Sequence, residues 1–296
     1  MNEAKKSHWL PVVAFWSLGI IWGSNFLYMR LASQFITPVQ IVFLRVVLSA
    51  LPIVGYGLIM HSLKREHLKY WYHFATMSLL GAVIYYYCFV VGSHLLYSGI
   101  AGAISGSTPL FAFILGIIFL KEEKITYLKI LGLIIGLIGI VFLAKPFNAT
   151  VTDSTWTGVA YMIVGSLSFG ASFIYAKKYV TPLKISAVAL TAYQLVGATI
   201  VLIVITPFKG MWNIFENTNA AIGLILGLAI LGTGLAFLIY YYIIDKMGAV
   251  KASSVTYIPP IVALIVGATL GSEPIGISDV LGVLLILLGV YFLRRK

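Results

Sequence analysis

Runs of about 20 apolar residues, separated by short polar stretches, organise this 296-residue chain. They fall near 10–32, 38–60, 71–96, 100–120, 125–144, 156–176, 185–206, 219–243, 252–271 and 276–293. A helix rises about 1.5 Å per residue, so each run is long enough to cross roughly 30 Å of hydrocarbon. The pattern predicts an all-α membrane protein with ten transmembrane helices. The longest connections, Pro146 to Thr155 and Pro207 to Thr218, are too short to fold as soluble domains. The first run lacks a short apolar core ending in a small-residue cleavage site, so it reads as a retained helix and not a signal peptide.

The pattern is also written twice. Leu80-Gly81 through Glu122 recurs at Leu231-Gly232 through Glu273, a constant offset of 151 that pairs Ala101 with Ala252, Pro109 with Pro260 and Gly116 with Gly267. One residue of slip then aligns Gly132 with Gly282 and Gly139 with Gly289, while Trp22-Gly23-Ser24-Asn25-Phe26 echoes Phe169-Gly170-Ala171-Ser172-Phe173. Two five-helix repeats are expected, 1–146 and 147–296. An odd number of spans per repeat makes the second enter the bilayer from the opposite side, and inverted repeats of this kind are a signature of secondary transporters.

Composition agrees: 60% of residues are hydrophobic and 10% charged, and the mean hydropathy is +1.01. The net charge of +11 would suit a nucleic-acid partner if it formed one patch, but it follows the loops instead. Sixteen of the 20 Lys and Arg residues lie at the termini or in even-numbered loops. Three, Arg30, Lys145 and Lys209, lie in odd-numbered loops, and the last is Arg45. This positive-inside bias predicts cytoplasmic amino and carboxyl termini. The single Cys88 excludes an intrachain disulfide, and nothing in the spacing calls for a metal or cofactor.

All nine acidic residues lie in loops or at helix ends, so the mid-membrane carboxylate common in proton-driven antiporters is missing. Coupling would need a carboxylate at a helix end, a histidine such as His94, or simple movement down a gradient. Arg45 is the one cation well inside a span, at a cost of roughly 2.5–3.5 kcal/mol on insertion scales. Two roles fit it: an anion or carboxylate anchor in a central cavity, or an arginine bound to backbone carbonyls of a neighbouring broken helix. Its repeat partner is neutral, Gln194. Pro109 and Pro260 remove amide donors in helices four and nine, leaving the carbonyls of Ser105 and Thr256 in need of partners. Ser105, Thr108, Thr256 and Tyr257 are therefore expected to border a substrate path. Trp22 and Asn25 on helix one, with Ser168 and Ser172 as their inverted counterparts, supply further polar and aromatic surface. Three consecutive tyrosines cannot share one helix face, so of Tyr85-Tyr86-Tyr87 and Tyr240-Tyr241-Tyr242 only some, with Tyr85, Tyr86 and Tyr240 as candidates, could meet a substrate. Gly102-x3-Gly106, Gly132-x3-Gly136 and Gly223-x3-Gly227 read as close helix packing.

Trp22-Gly23-Ser24-Asn25-Phe26, Phe43-Leu44-Arg45, Pro109 followed by Glu122 or Glu123, and the run from Gly232 to Ala249 together resemble the drug/metabolite transporter superfamily in its ten-helix EamA-type branch. The resemblance covers nearly the whole chain. It implies a bacterial inner-membrane carrier exporting small metabolites, often amino acids, through a cavity bounded by helices one to four and six to nine, with helices five and ten peripheral. Lys121-Glu122-Glu123 departs from the family pattern of a small residue before one Glu, and either acid reads as an anchor for the cytoplasmic helix end.

The function expected is secondary transport of small polar or zwitterionic metabolites, amino acids foremost, by rocking of the two halves. The partners expected are a small-molecule substrate and membrane lipid, with the chain a monomer or weak homodimer and no nucleic acid bound. Competing readings are an intramembrane enzyme, a lipid-handling protein, or a carrier for nucleosides or other metabolites. The enzyme reading lacks paired acids, His-x3-His spacing, Gly-x-Ser-x-Gly and a second cysteine.

Overall fold

A computed structural model describes residues 9–120, 125–144, 153–247 and 253–294. The described chain is helical throughout. Eight helices are long and apolar enough to span a bilayer: α1 (Trp9–Ala32), α2 (Pro38–Ile59), α3 (Arg65–Leu95), α4 (Ser98–Phe119), α5 (Tyr127–Ala144), α6 (Asp153–Leu183), α7 (Ala187–Ile205) and α8 (Thr218–Tyr240). Two shorter apolar helices, α9 (Val255–Thr269) and α10 (Ile277–Leu293), occupy the last two expected positions.

The packing repeats with the sequence. The main contacts of α1 are with α8 and α9, and those of α6 are with α3 and α4; α2 packs on α7 and α8, and α7 on α2 and α3. The remaining large pairs are α4 with α9 and α5 with α10. Exchanging each helix for the one five places along maps this set onto itself, as a two-fold relation between halves requires.

The α5–α10 seam shows the relation atom by atom. A Cβ on Gly289 would lie 2.5 Å from Gly132 O, and one on Gly139 would lie 2.8 Å from Gly282 O. The slipped repeat register converts one contact into the other, so a single two-fold fits both. With no hydrophobic drive between helices in lipid, such close backbone approach carries the association.

Two departures from regular helix matter for the site. Both α4 and α9 are broken and restarted instead of being kinked within one helix. The α-helix Ser98–Ser105 ends at a turn over Gly106-Ser107 before Thr108–Phe119 begins, and a 3₁₀ segment, Ser253–Tyr257, precedes Ile258–Thr269. Pro109 and Pro259 therefore sit in a first helical turn, where a missing amide costs little. The carbonyl of Ser105 accepts from Thr108 Oγ1 at 2.8 Å, so the break is satisfied by its own side chain. The two breaks touch: a Cβ on Gly106 would meet Pro260 Cγ at 2.6 Å. The second departure is π-helix at Leu79–Val83 in α3 and Gly223–Leu235 in α8, overlapping once the repeat offset is applied. A π segment leaves the ordinary hydrogen-bond register and turns carbonyls toward other partners.

The seam generates a contrast that can be measured. Gly289→Ala is expected to lower unfolding stability by about 1–3 kcal/mol, because the methyl must displace backbone. Gly55→Ala, with nothing within 4 Å of the added carbon, should be neutral or stabilise by up to about 1 kcal/mol. Thermal unfolding in one detergent compares them; equal behaviour would contradict the close seam.

Candidate functional site

A small cavity opens where the breaks of α4 and α9 meet α1, α2, α3 and α6. Its volume is about 50 Å³, room for a few waters at about 10–15 Å³ each. Asn25, Arg45, Ser105, Thr108 and Thr256 supply its polar lining, and Trp22, Phe26, Met29, Tyr85, Phe89, Phe169 and Pro259 the rest. Tyr85 stacks on Phe169 with ring centroids 4.2 Å apart and planes 9° from parallel, and packs edge-on against Phe89 at 4.6 Å. The result is an aromatic box with polar groups at the helix breaks.

Arg45 is 2% exposed. Its Nε donates to Thr233 Oγ1 at 2.8 Å, and its Nη2 to the carbonyl of Gly232 at 3.2 Å. Both partners lie in the π segment of α8. Thr233 Oγ1 in turn donates to Leu228 O at 3.0 Å, five residues back. Asn25 completes this edge: with its amide nitrogen donating to Ile21 O (3.0 Å), its oxygen accepts from Nη2 (3.3 Å). Gly232 is required here, since a Cβ would stand within 2.8 Å of both the oxygen and the nitrogen of the Asn25 amide. One layer down, Ser49 Oγ bridges the carbonyls of Arg45 (2.6 Å) and Ala229 (2.9 Å). The guanidinium carbon lies 3.9 Å from the centre of the Tyr86 ring, a cation–π contact. The remaining nitrogen, Nη1, meets only the Met29 sulfur, at 3.8 Å, a weak acceptor. No carboxylate pairs with Arg45 among the described residues.

Arg45 therefore braces the widened helix through Nε and Nη2, one of the two roles left open by the sequence, and it also borders the cavity.

The same cluster exists a second time without the charge. A Cβ on Gly81 would meet Gln194 Nε2 at 3.0 Å and Ser172 Oγ at 3.5 Å, and Gly81, Gln194 and Ser172 are the repeat partners of Gly232, Arg45 and Asn25. This copy lies outside the cavity lining. Ser168 Oγ donates across to Leu80 O at 2.8 Å, joining the two helices, and Ser172 Oγ donates to Phe169 O of its own helix at 2.7 Å.

The expected site residues thus divide. Trp22, Asn25, Arg45, Tyr85, Ser105, Thr108 and Thr256 line the cavity. Tyr86 lies against the Arg45 guanidinium, and Tyr240 packs behind Trp22 at 5.8 Å between rings. Tyr257 points the other way, its hydroxyl donating to Val290 O on α10 at 3.3 Å. His94 sits at an exposed helix end, its Nδ1 3.0 Å from Ser33 Oγ. Glu122 and Glu123, expected as cytoplasmic anchors, lie outside the described residues.

Glu273, in the sequence the repeat partner of Glu122, joins three elements. Its carboxylate pairs with Arg30 and accepts from Ser98 N (2.9 Å), Ser98 Oγ (3.0 Å) and Gly99 N (3.1 Å). Two orphan amides and the positive end of α4 are thereby satisfied by a residue from the other half. Glu273→Gln is expected to lower stability by about 1–3 kcal/mol, as for hydrogen bonds to a charged group. Glu66→Gln, which breaks only an exposed 3.5 Å pair with Lys64, should change it by less than about 1 kcal/mol. Melting temperatures of both variants check this, and a neutral Glu273→Gln would contradict it.

The chain matches the EamA-like transporter family twice, over residues 9–145 and 156–295. It is 29% identical over 275 residues to an uncharacterized transporter of Archaeoglobus fulgidus, covering 93% of this chain and 95% of that one. It is 27% identical to the uncharacterized transporter YoaV of Bacillus subtilis, over 95% and 97% of the two chains. With the uncharacterized inner membrane transporter YedA of Escherichia coli K12 it shares 25% identity over 96% and 92%. A solved crystal structure shares the fold, with a TM-score of 0.62 at 16% identity and 96% coverage of both chains. Two family matches that together span nearly the whole chain, on an all-helical fold with a cavity between its halves, identify this multi-pass membrane protein as a member of the EamA-like transporter family, a transporter and not an enzyme.

Proposed function

We propose that this chain is a secondary carrier exporting small carboxylate-bearing metabolites, amino acids among them, across a bacterial inner membrane by alternating access. The reading rests on one observation: a small cavity lined by helices from both expected repeats carries a buried guanidinium whose Nη1 meets a sulfur and no oxygen. Discontinuous helices at a repeat interface are where secondary carriers hold substrate. A cavity that holds only a few waters must widen to admit a metabolite, and rocking of residues 1–146 against residues 147–296 would widen it. Arg45 receives the carboxylate through Nη1, while the aromatic box takes the apolar body.

Counterflow in proteoliposomes tests this. Arg45→Gln is expected to slow uptake of an amino acid by about tenfold to a hundredfold, matching the roughly 1.5–3 kcal/mol of a charged hydrogen bond, and to slow its amide much less. Arg45→Lys should recover only part, since it keeps the charge but loses the planar fork. Equal losses for amino acid and amide would leave Arg45 a brace only.

Both termini are proposed to be cytoplasmic, on the distribution of basic residues. In a Cys88→Ser background, a cysteine at exposed Glu66 should be labelled only from the cytoplasm and one at exposed Asn219 only from outside. The opposite labelling would reverse the topology.

A further inference from the structure

We infer that the cavity selects by net charge: of molecules sharing one skeleton it binds the monoanionic acid most tightly, the zwitterionic amino acid less and the amine least. The inference deepens the carrier reading and rests on it for the location of the site.

The charge balance of the cavity carries it. Arg45 brings one permanent positive charge, since a guanidinium does not lose its proton in a protein. Its polar neighbours in the lining, Asn25, Ser105, Thr108 and Thr256, are neutral, and among the described residues no acid lines the cavity. Glu273, the buried acid at the amino end of α4, is committed to Arg30 and to that helix end. A buried charge is costly unless paired. The protein answers that cost partly with dipoles, through Thr233, Gly232 and Asn25, and with the face of Tyr86. Dipoles hold the cation in place without cancelling it. An anion at Nη1 would cancel it, leaving a neutral occupied site.

A zwitterion gives the same carboxylate contact but brings an ammonium, so the occupied cavity keeps its net positive charge. The lining offers that ammonium neutral groups only: aromatic faces, the Asn25 amide oxygen and hydroxyls such as those of Ser105 and Thr108, which already donate to Gly102 O (2.6 Å) and Ser105 O (2.8 Å) and keep lone pairs as acceptors. Those contacts are weaker than a carboxylate partner. An amine without a carboxylate adds a like charge beside Arg45 and is excluded.

Three probes share a skeleton and differ in charge: 4-methylpentanoate, leucine and 3-methylbutylamine. Calorimetric titration into the purified full chain in nanodiscs should give the acid about tenfold or more tighter binding than leucine, with no binding of the amine. Arg45→Gln should abolish the advantage of the acid. Because that variant also removes a brace from α8, Asn25→Asp is the second test: it sets a carboxylate beside Nη2 and should cancel the preference while keeping Arg45. Leucine binding as tightly as the acid, an advantage that survives Asn25→Asp, or no binding of any probe at 10 mM would each overturn the inference. Counterflow separates it from the carrier reading. Ordered binding without translocation of any probe leaves the anion site and removes the carrier; translocation of leucine in preference to the acid keeps the carrier and removes the anion site.

Discussion

A guanidinium buried within a membrane span, with no carboxylate partner among the described residues, is the constraint around which the centre of this protein is arranged. Hydrocarbon offers no water to solvate it, so its donors must find acceptors in the protein. A regular α-helix aims each interior carbonyl along its axis at the amide four residues ahead, leaving only a second lone pair for another donor. The π segment of α8 changes that, directing Gly232 O toward Arg45 and Ala229 O toward Ser49. Gly232 must lack a side chain for Asn25 to approach, and Thr233 must carry a hydroxyl that both accepts from Nε and donates to Leu228 O. Four helices, α1, α2, α3 and α8, are thus committed by one side chain.

Duplication supplied the frame and divergence supplied the charge. The Gly81, Gln194 and Ser172 cluster shows the same geometry with neutral groups, which keeps the helix junction and places no cation there. An arginine in both copies would leave two buried charges to be solvated by protein dipoles instead of one. The halves therefore share a backbone plan while the path between them is electrically one-sided. Glu273 adds a second asymmetry, capping the first turn of α4 from across the repeat boundary, with Arg30 holding its carboxylate.

Much of this was legible in the sequence, for physical reasons that differ by feature. The spans follow from apolar length, and the duplication from matched glycines and prolines. Arg45 stood out because charge is rare at that depth. Ser105, Thr108 and Thr256 reached the cavity because repeat-matched prolines mark backbone breaks, although the helices restart there and the Ser105 carbonyl is already satisfied. Other features left no mark. Gly223 to Leu235 is an apolar run that reads as ordinary helix, so neither the π segment nor the role of Thr233 was visible. Three successive tyrosines give no facing, which left Tyr85 in the lining and Tyr86 beneath the guanidinium indistinguishable. Phe26, Phe89 and Phe169 look like any core aromatics until the helices are assembled. Tyr257 follows Thr256 directly, and a step of about 120° around the 3₁₀ segment carries it to α10 instead.

The division of Arg45 into a bracing edge and a binding edge is the central claim, and the position of a bound carboxylate tests it most directly. Crystals grown with a brominated carboxylate would reveal the ligand by anomalous scattering. The account predicts density with the carboxylate on Nη1, beside Met29 and Tyr85, while the Nε and Nη2 contacts to Thr233 and Gly232 persist. A carboxylate seated away from Arg45, or one that displaces the guanidinium from α8, would contradict it.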